Sequence, residues 1–242
     1  GLLFAVKGGG GISIDALEQI QINIAPYDVR QSNFVGAAVN MVTKSGTNEF
    51  KGSAYYQTRN QSFVGNEAAG STFDPGTFHF NMGGVNLSGP LVKDRLFYFM
   101  SFETENYRRP ATTFIANDGT MNAGGNITRV LKSDLDELTN FLNTNFGYNT
   151  GAYDNYDFNT EATRFIVKLD YNVDIKNKIS IRYNHLDSKS DQFVANHNVL
   201  GNGYRRGTIY SLNFQNSNYA IVENIRSIIA EWNSVLSDNI SN

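Results

Sequence analysis

From Phe50 onward the chain is dominated by segments that alternate apolar and polar residues, and the connections between them alternate in length as well. "FKGSAYYQTRN" (50–60) sets Ala54 and Tyr56 on one face and Lys51, Tyr55, Gln57 and Arg59 on the other. In "TFHFNMGGVNLSGPL" (77–91), Phe78, Phe80 and Met82 alternate with His79 and Asn81. Val85 and Leu87 then take over, a change of phase that predicts a bulge at Gly83 and Gly84. A tight turn, "VKDR" (92–95), leads back into "LFYFMSFETENYRR". The pattern recurs in "TRFIVKLDYNVDIKNKISIRYNHLDS" (163–188), where Phe165, Val167, Leu169 and Tyr171 oppose Arg164, Lys168 and Asp170. It recurs again in "NIRSIIAEWNSVL" (224–236).

The turns at 92–95, 174–177 and 237–239 are a few residues long, whereas the connections 110–162 and 188–218 are long and polar. Long structureless connections are uncommon inside a compact soluble domain. They are the rule in an outer-membrane β-barrel, which has short turns on one side and long loops on the other. No window holds 18 apolar residues, so no transmembrane helix is expected, and this does not argue against a barrel. The expected class is therefore mainly β. With 20 Lys and Arg against 23 Asp and Glu, the chain has no basic excess for nucleic acid. Without cysteine it has no disulfide framework, thiolate metal site or cysteine nucleophile. "GLLFAVKGGGG" lacks the architecture of a signal peptide.

No motif selects a chemistry. "GGGG" (8–11) lacks the preceding strand and third glycine of a dinucleotide fold, and Lys51-Gly52-Ser53 has the wrong order for a phosphate loop. His79, His185 and His197 are far apart, and Asp154, Asp157 and Glu161 could offer oxygens to Ca²⁺ but lack a calcium-loop pattern. No nucleophile elbow accompanies any serine. The expectation is a protein that is not an enzyme, with no catalytic, cofactor or metal residues and with ligand-binding residues that the sequence does not identify. Within the first long loop, "SDLDELTNFLNTNFG" predicts a helix with Ser133 as N-cap, Asp134 and Asp136 in the first turn and Gly147 as terminator. Its face of Leu135, Leu138, Phe141 and Leu142 suits packing over the loop's own apolar patch, or a lid that touches substrate.

Ahead of Phe50 the segments are shorter. "ISIDALEQIQINI" (12–24) predicts a turn or short helix at Asp15 and then a strand, and a second strand spans Ala37 to Thr43. In "VNMVTKSGTNEFKGSAYY" (39–56), the polar stretch Lys44 to Glu49 joins two strands, with Gly46 expected at a positive φ. The change in strand length and aromatic content at Phe50 predicts that these strands belong to different bodies and do not pair.

Residues 20–56 resemble the plug-to-barrel junction of TonB-dependent outer-membrane receptors, and most closely the Oar-like branch of Bacteroidota and relatives. The resemblance is carried by "APYDVR" (25–30), Gly36, Asn40, "TKSGTNEFKGS" (43–53), Tyr55 and Tyr56. It extends through "GGVNLSGPLVKDRLFYFMSFE" (83–103), "SDLDELTNFL", "YNTGAYDNYDFNTE" and "KLDYNVDIKNKISIRYNHLD" (168–187). It implies that residues 1–49 are the C-terminal part of a plug domain. Residues 50–242 would be the first antiparallel strands, about six, of a transmembrane β-barrel, with extracellular loops near 60–76, 110–162 and 188–218. It also implies a fragment of a longer chain, since six strands cannot close around a plug.

The implied function is uptake of an external ligand, a glycan, peptide or metal chelate, across the outer membrane with energy from TonB. The implied partners are TonB, outer-membrane lipids and a possible surface lipoprotein, with no nucleic acid and no cofactor. A passive surface adhesion or ligand-binding barrel is the alternative, and a soluble carbohydrate-binding β-sandwich a third.

Overall fold

The computed structural model describes residues 11–24, 37–68, 70–72, 76–194, 208–237 and 240–241. In chain order the strands are β1 (Leu17–Ile24), β2 (Ala37–Thr43), β3 (Lys51–Asn60), β4 (Glu67–Ala68), β5 (Ser71–Thr72), β6 (His79–Val92), β7 (Leu96–Pro110), β8 (Ile115–Asn117) and β9 (Ile127–Leu131). The helix α1 (Lys132–Phe146) follows, then β10 (Asp157–Asn172), β11 (Asn177–Gln192), β12 (Tyr219–Ser237) and β13 (Ile240–Ser241). A seven-stranded antiparallel sheet runs in the order β13-β12-β11-β10-β7-β6-β3, while β1 pairs with β2 in a sheet of its own. The strands on either side of Lys44–Glu49 thus lie in different sheets, as the change at Phe50 led us to expect.

The large sheet has two unlike faces. Because side chains alternate along a strand, register assigns each residue to a face. One face carries Val85 and Leu87, Met100 and Phe102, Phe165, Val167 and Leu169, Ile179 and Ile181, and Ile228 and Trp232. These side chains are exposed or half-buried; Ile228 is 75% exposed and Trp232 59%. An apolar face of this extent is far larger than a soluble monomer shows. From Phe165 to Tyr171 it covers roughly 20 Å along the strand at about 3.4 Å per residue, close to the height of a lipid-facing band. The opposite, inner face carries Ser53, Tyr55, Asn86, Ser101, Glu103, Arg164, Asn184 and Ser227, and the β1–β2 hairpin sits on it.

No bulge occurs at Gly83 and Gly84. They stay in register opposite Tyr56 and Tyr55 on β3 and Thr104 and Glu103 on β7; the β6–β7 register shift falls instead between Pro90 and Val92. The strand keeps its phase and the environment changes. Toward the long loops, the inner face becomes aromatic, with Phe80 and Tyr107 edge to face at 5.9 Å and Arg59 over Phe80 at 5.2 Å. The outer face there carries polar residues, Asn81, Asn106 and Arg108. Strands are also longer than the alternation suggested: β10 begins at Asp157 and β11 runs to Gln192, so the connections are 111–156 and 193–218 rather than 110–162 and 188–218.

At the short-turn end, Asp174 accepts the amides of Lys176 (2.7 Å) and Asn177 (2.8 Å) and the Asn177 side chain. These bonds, led by that of the Asn177 side chain, hold the Asp174 carboxyl below the usual carboxylate range. The β6–β7 turn is clamped from the crossover: Asn48 accepts the Asp94 amide (2.8 Å) and donates to its carboxylate (2.6 Å), with Asp94 at φ 63. Gly46 does not have the positive φ expected of it. Glycine is needed there because the crossover lies on the wall: a Cβ would sit 2.8 Å from the Gly89 carbonyl oxygen and 2.9 Å from Phe97 Cβ.

The described parts of the two long connections are joined to each other. Arg129 N donates to Ile209 O (2.7 Å), Gln215 N to Ala152 O (2.6 Å) and Asn216 N to Thr150 O (3.0 Å). Tyr156 OH donates to Asn213 O (3.0 Å), above a core of Ala111, Tyr156, Phe158 and Phe193. Gly147 ends α1 at φ 64, as expected, with Gly147 N on Asn143 O and Tyr148 N on Leu142 O. Ser133 is not the N-cap; Leu131 holds that position without a side-chain bond, and Ser133 lies in the first turn. On the apolar face of α1 only Leu135 is buried, while Leu138 and Phe141 are exposed.

Gly46→Ala should lift the crossover off the wall at a cost of about 1–3 kcal/mol, lowering the thermal midpoint of the full-length protein. Gly65→Ala, where a Cβ has nothing within 4 Å, should leave it unchanged; equal midpoints for the two variants would contradict the seating. Gly151 has φ +67 and faces Gln215 Cβ at 3.0 Å from its would-be Cβ. Gly151→Val should therefore raise amide exchange in 111–156 and in 208–218 together, and a rise in only one would show that the loops are independent.

Candidate functional site

The inner face of the wall is occupied by a short stretch ahead of β1 and by the end of β2. Residues Ile14–Ala16 form a single 3-10 turn, closed by Ala16 N on Ser13 O (3.0 Å), which presses Ala16 against Phe99 and Ile166 with Ile12 packed alongside. Lys44 N donates to Ala16 O (2.9 Å) and Lys44 Nζ to Asp15 O (2.7 Å), tying the turn to the crossover. No ladder joins β1 or β2 to the large sheet among the described residues. Polar contact to the wall is made by side chains: Ser13 to Glu103 (2.8 Å), Lys168 to Ser45 (2.7 Å) and Arg182 to Thr43 (3.2 Å).

The wall partner of Ser13 is itself built across three strands. Tyr55, Gly84, Glu103 and Arg164 lie in one register row of β3, β6, β7 and β10. Arg164 donates to Glu103 (2.6 Å) and, two residues along β7, to Glu105 (2.9 Å). Arg164 and Glu103 are each about 95% buried. The Tyr55 hydroxyl also donates to Glu103, and its ring lies where a Cβ on residue 84 would be. Gly84 is therefore what lets Tyr55 reach across β6. Removing one member of such a buried pair strands the other charge, typically at about 3–5 kcal/mol.

Between this row and the hairpin lies a cavity of about 610 Å³, lined on the apolar side by Ile12, Leu17, Ile20, Met41, Met82 and Ile225 and on the polar side by Asp15, Gln57, Glu103, Glu105, Arg164 and Asn184. A space of this size is in the range of small-molecule sites.

Residues that the sequence raised and set aside are not gathered here. Among the described residues no three His, Asp or Glu side chains form a metal-binding group. Asp154 accepts the Ala116 amide (3.0 Å), Asp157 pairs with Arg108 (2.6 Å) and Glu161 stands on the outer face. His185 binds Asp187 (2.8 Å) on the outer face, His79 is at the start of β6, and His197 lies outside the described residues. Of "GGGG" only Gly11 is described, at the rim of the cavity; "APYDVR" and Gly36 are outside the described residues. The sequence did not single out Ser13, Glu103 or Arg164, although charged residues at the inward step of an otherwise apolar strand were a usable signal.

Residues 42–146 match the family model of an outer membrane beta barrel domain. No curated protein and no solved structure matches the chain. The matched segment takes in β3, β6 and β7, and β10 to β12 continue the same sheet with the same two faces. Residues 42–146 thus lie in an outer-membrane β-barrel domain, and the exposed apolar face is of the kind that such a wall turns toward lipid.

Proposed function

We propose that this protein is a receptor of the TonB-dependent kind, which binds an external ligand and admits it through the barrel when TonB, driven by the inner-membrane proton gradient, pulls on a plug. In this reading the β1–β2 hairpin and its flanks are the end of the plug, and the large sheet is the first part of the wall. The short turns face the periplasm and the joined loops 111–156 and 193–218 face outward. Among the described residues β3 and β13 are the open edges of the sheet; in this reading further strands cover them, because open edges are not tolerated in a bilayer.

The observation that carries the reading is how the hairpin is held. It has its own ladder and meets the wall through side chains and one small apolar cluster. Each such hydrogen bond is worth about 0.5–1.5 kcal/mol net, or about 1.5–3 where one partner is charged. A body seated in this way can leave as a unit while the wall ladders stay intact. A hairpin that continued the wall sheet could not.

These 242 residues hold no cysteine, and any cysteine elsewhere in the full-length protein is first replaced by serine. Met41, on the cavity side of the hairpin, is replaced (Met41→Cys) in the full-length protein and labelled with a membrane-impermeant maleimide in intact cells. Labelling should rise severalfold in energised cells that contain TonB and return to its baseline after TonB deletion or addition of an uncoupler. Labelling that ignores both would overturn the import reading and leave a passive surface barrel.

A further inference from the structure

We propose that the cavity between the hairpin and the wall binds a ligand with an apolar body and a positively charged group, the charge held by Glu105. The inference deepens the import reading, on which it rests in taking the cavity to lie on the ligand's route.

The walls set the body of the ligand: Ile12, Leu17, Ile20, Met41, Met82 and Ile225 surround about 610 Å³, and unbranched methionines adapt to varied shapes. The polar end sets the head. Three carboxylates, Asp15, Glu103 and Glu105, face the cavity with one guanidinium, Arg164. Asp15 is exposed to solvent, whereas Glu103 is buried and Glu105 half-buried around the single guanidinium, which makes that pair the seat of the excess negative charge. Glu103 is saturated, with Arg164 on one oxygen and Ser13 and Tyr55 on the other. Glu105 is not: Arg164 occupies Oε2, and Oε1 has no partner among the described residues. A carboxylate oxygen without a donor at the rim of an apolar space favours a cation over a neutral group of the same shape.

A buried amide lies on the same wall. Asn184 is about 95% buried on the cavity wall. Its amide nitrogen donates to Ser227 (3.3 Å), while its Oδ1 is buried without a hydrogen-bond partner. The Glu105 oxygen is thus the open acceptor of this space, and a ligand that brings a cationic donor completes it.

The full-length protein in lipid nanodiscs is titrated with a dansyl-labelled pentylamine, its N-acetylated form and a dansyl-labelled hexanoate, with fluorescence as the readout. The amine should bind at least about tenfold more tightly than the acetylated probe, and the carboxylate most weakly. Glu105→Gln keeps an acceptor for Arg164 and should bring the amine to the level of its acetylated form. Met82→Trp should fill the space and weaken all three. Equal binding of amine and acetylated probe, no binding of any probe, or full discrimination retained in Glu105→Gln would overturn the proposal. Discrimination by the nanodisc protein alongside energy-independent labelling at Met41→Cys would sink import while leaving this site standing, and the converse would sink the site alone.

Discussion

The register of six long strands is the constraint on which the rest depends. A single row runs Tyr55, Gly84, Glu103, Arg164, Leu186 and Ile225 across β3, β6, β7, β10, β11 and β12, all on the inner face. One step along the strands, the row Ala54, Val85, Phe102, Phe165, His185 and Arg226 faces outward. A slip of one residue at the β7–β10 ladder would place Arg164 or Glu103 among the outward apolar side chains, where an ionised group is costly. The hydrophobic pattern of each strand therefore sets the face of its neighbour, and the β7–β10 register brings the buried ion pair together.

That two-faced wall explains why so few polar side chains hold the hairpin. Charged and amide side chains on the inner face need partners, and the turn at Ser13 to Ala16, with Thr43 and Ser45, supplies them without a shared ladder. Where the two bodies touch through small residues, Ala16 and Gly46, they approach closely. Where larger side chains stand apart, the cavity opens. The same surface thus provides seating, separability and a space with a distinct chemical character.

Local features of this architecture were legible in the sequence. The strand at Ala37 to Thr43, the turns at Asp94 and Asp174, and the Gly147 helix stop depend on nearby residues and lie where the pattern put them. The phase change at Gly83 was also visible, but its cause was not. A strand that leaves an apolar layer swaps which face is apolar without changing register, and in one dimension this looks like a bulge. Glu103 and Arg164 were only half legible for a related reason: a charged residue at an alternate position marks a polar face, but does not say whether it meets water or a partner on the neighbouring strand. The fusion of the two long loops is a contact between segments more than fifty residues apart, as from Thr150 to Asn216, and no local pattern announces it.

The most direct test of the two-faced wall is spin-label accessibility along β10 in the full-length protein reconstituted in bilayers, with one label at a time from position 163 to position 171. Collisions with oxygen should peak at 165, 167, 169 and 171 and fall at 164, 166, 168 and 170, a period of two that follows the register of β10 against β7 and β11. A flat profile, or maxima at the even positions, would contradict the assignment of the apolar face to lipid and, with it, the placement of the hairpin inside the wall.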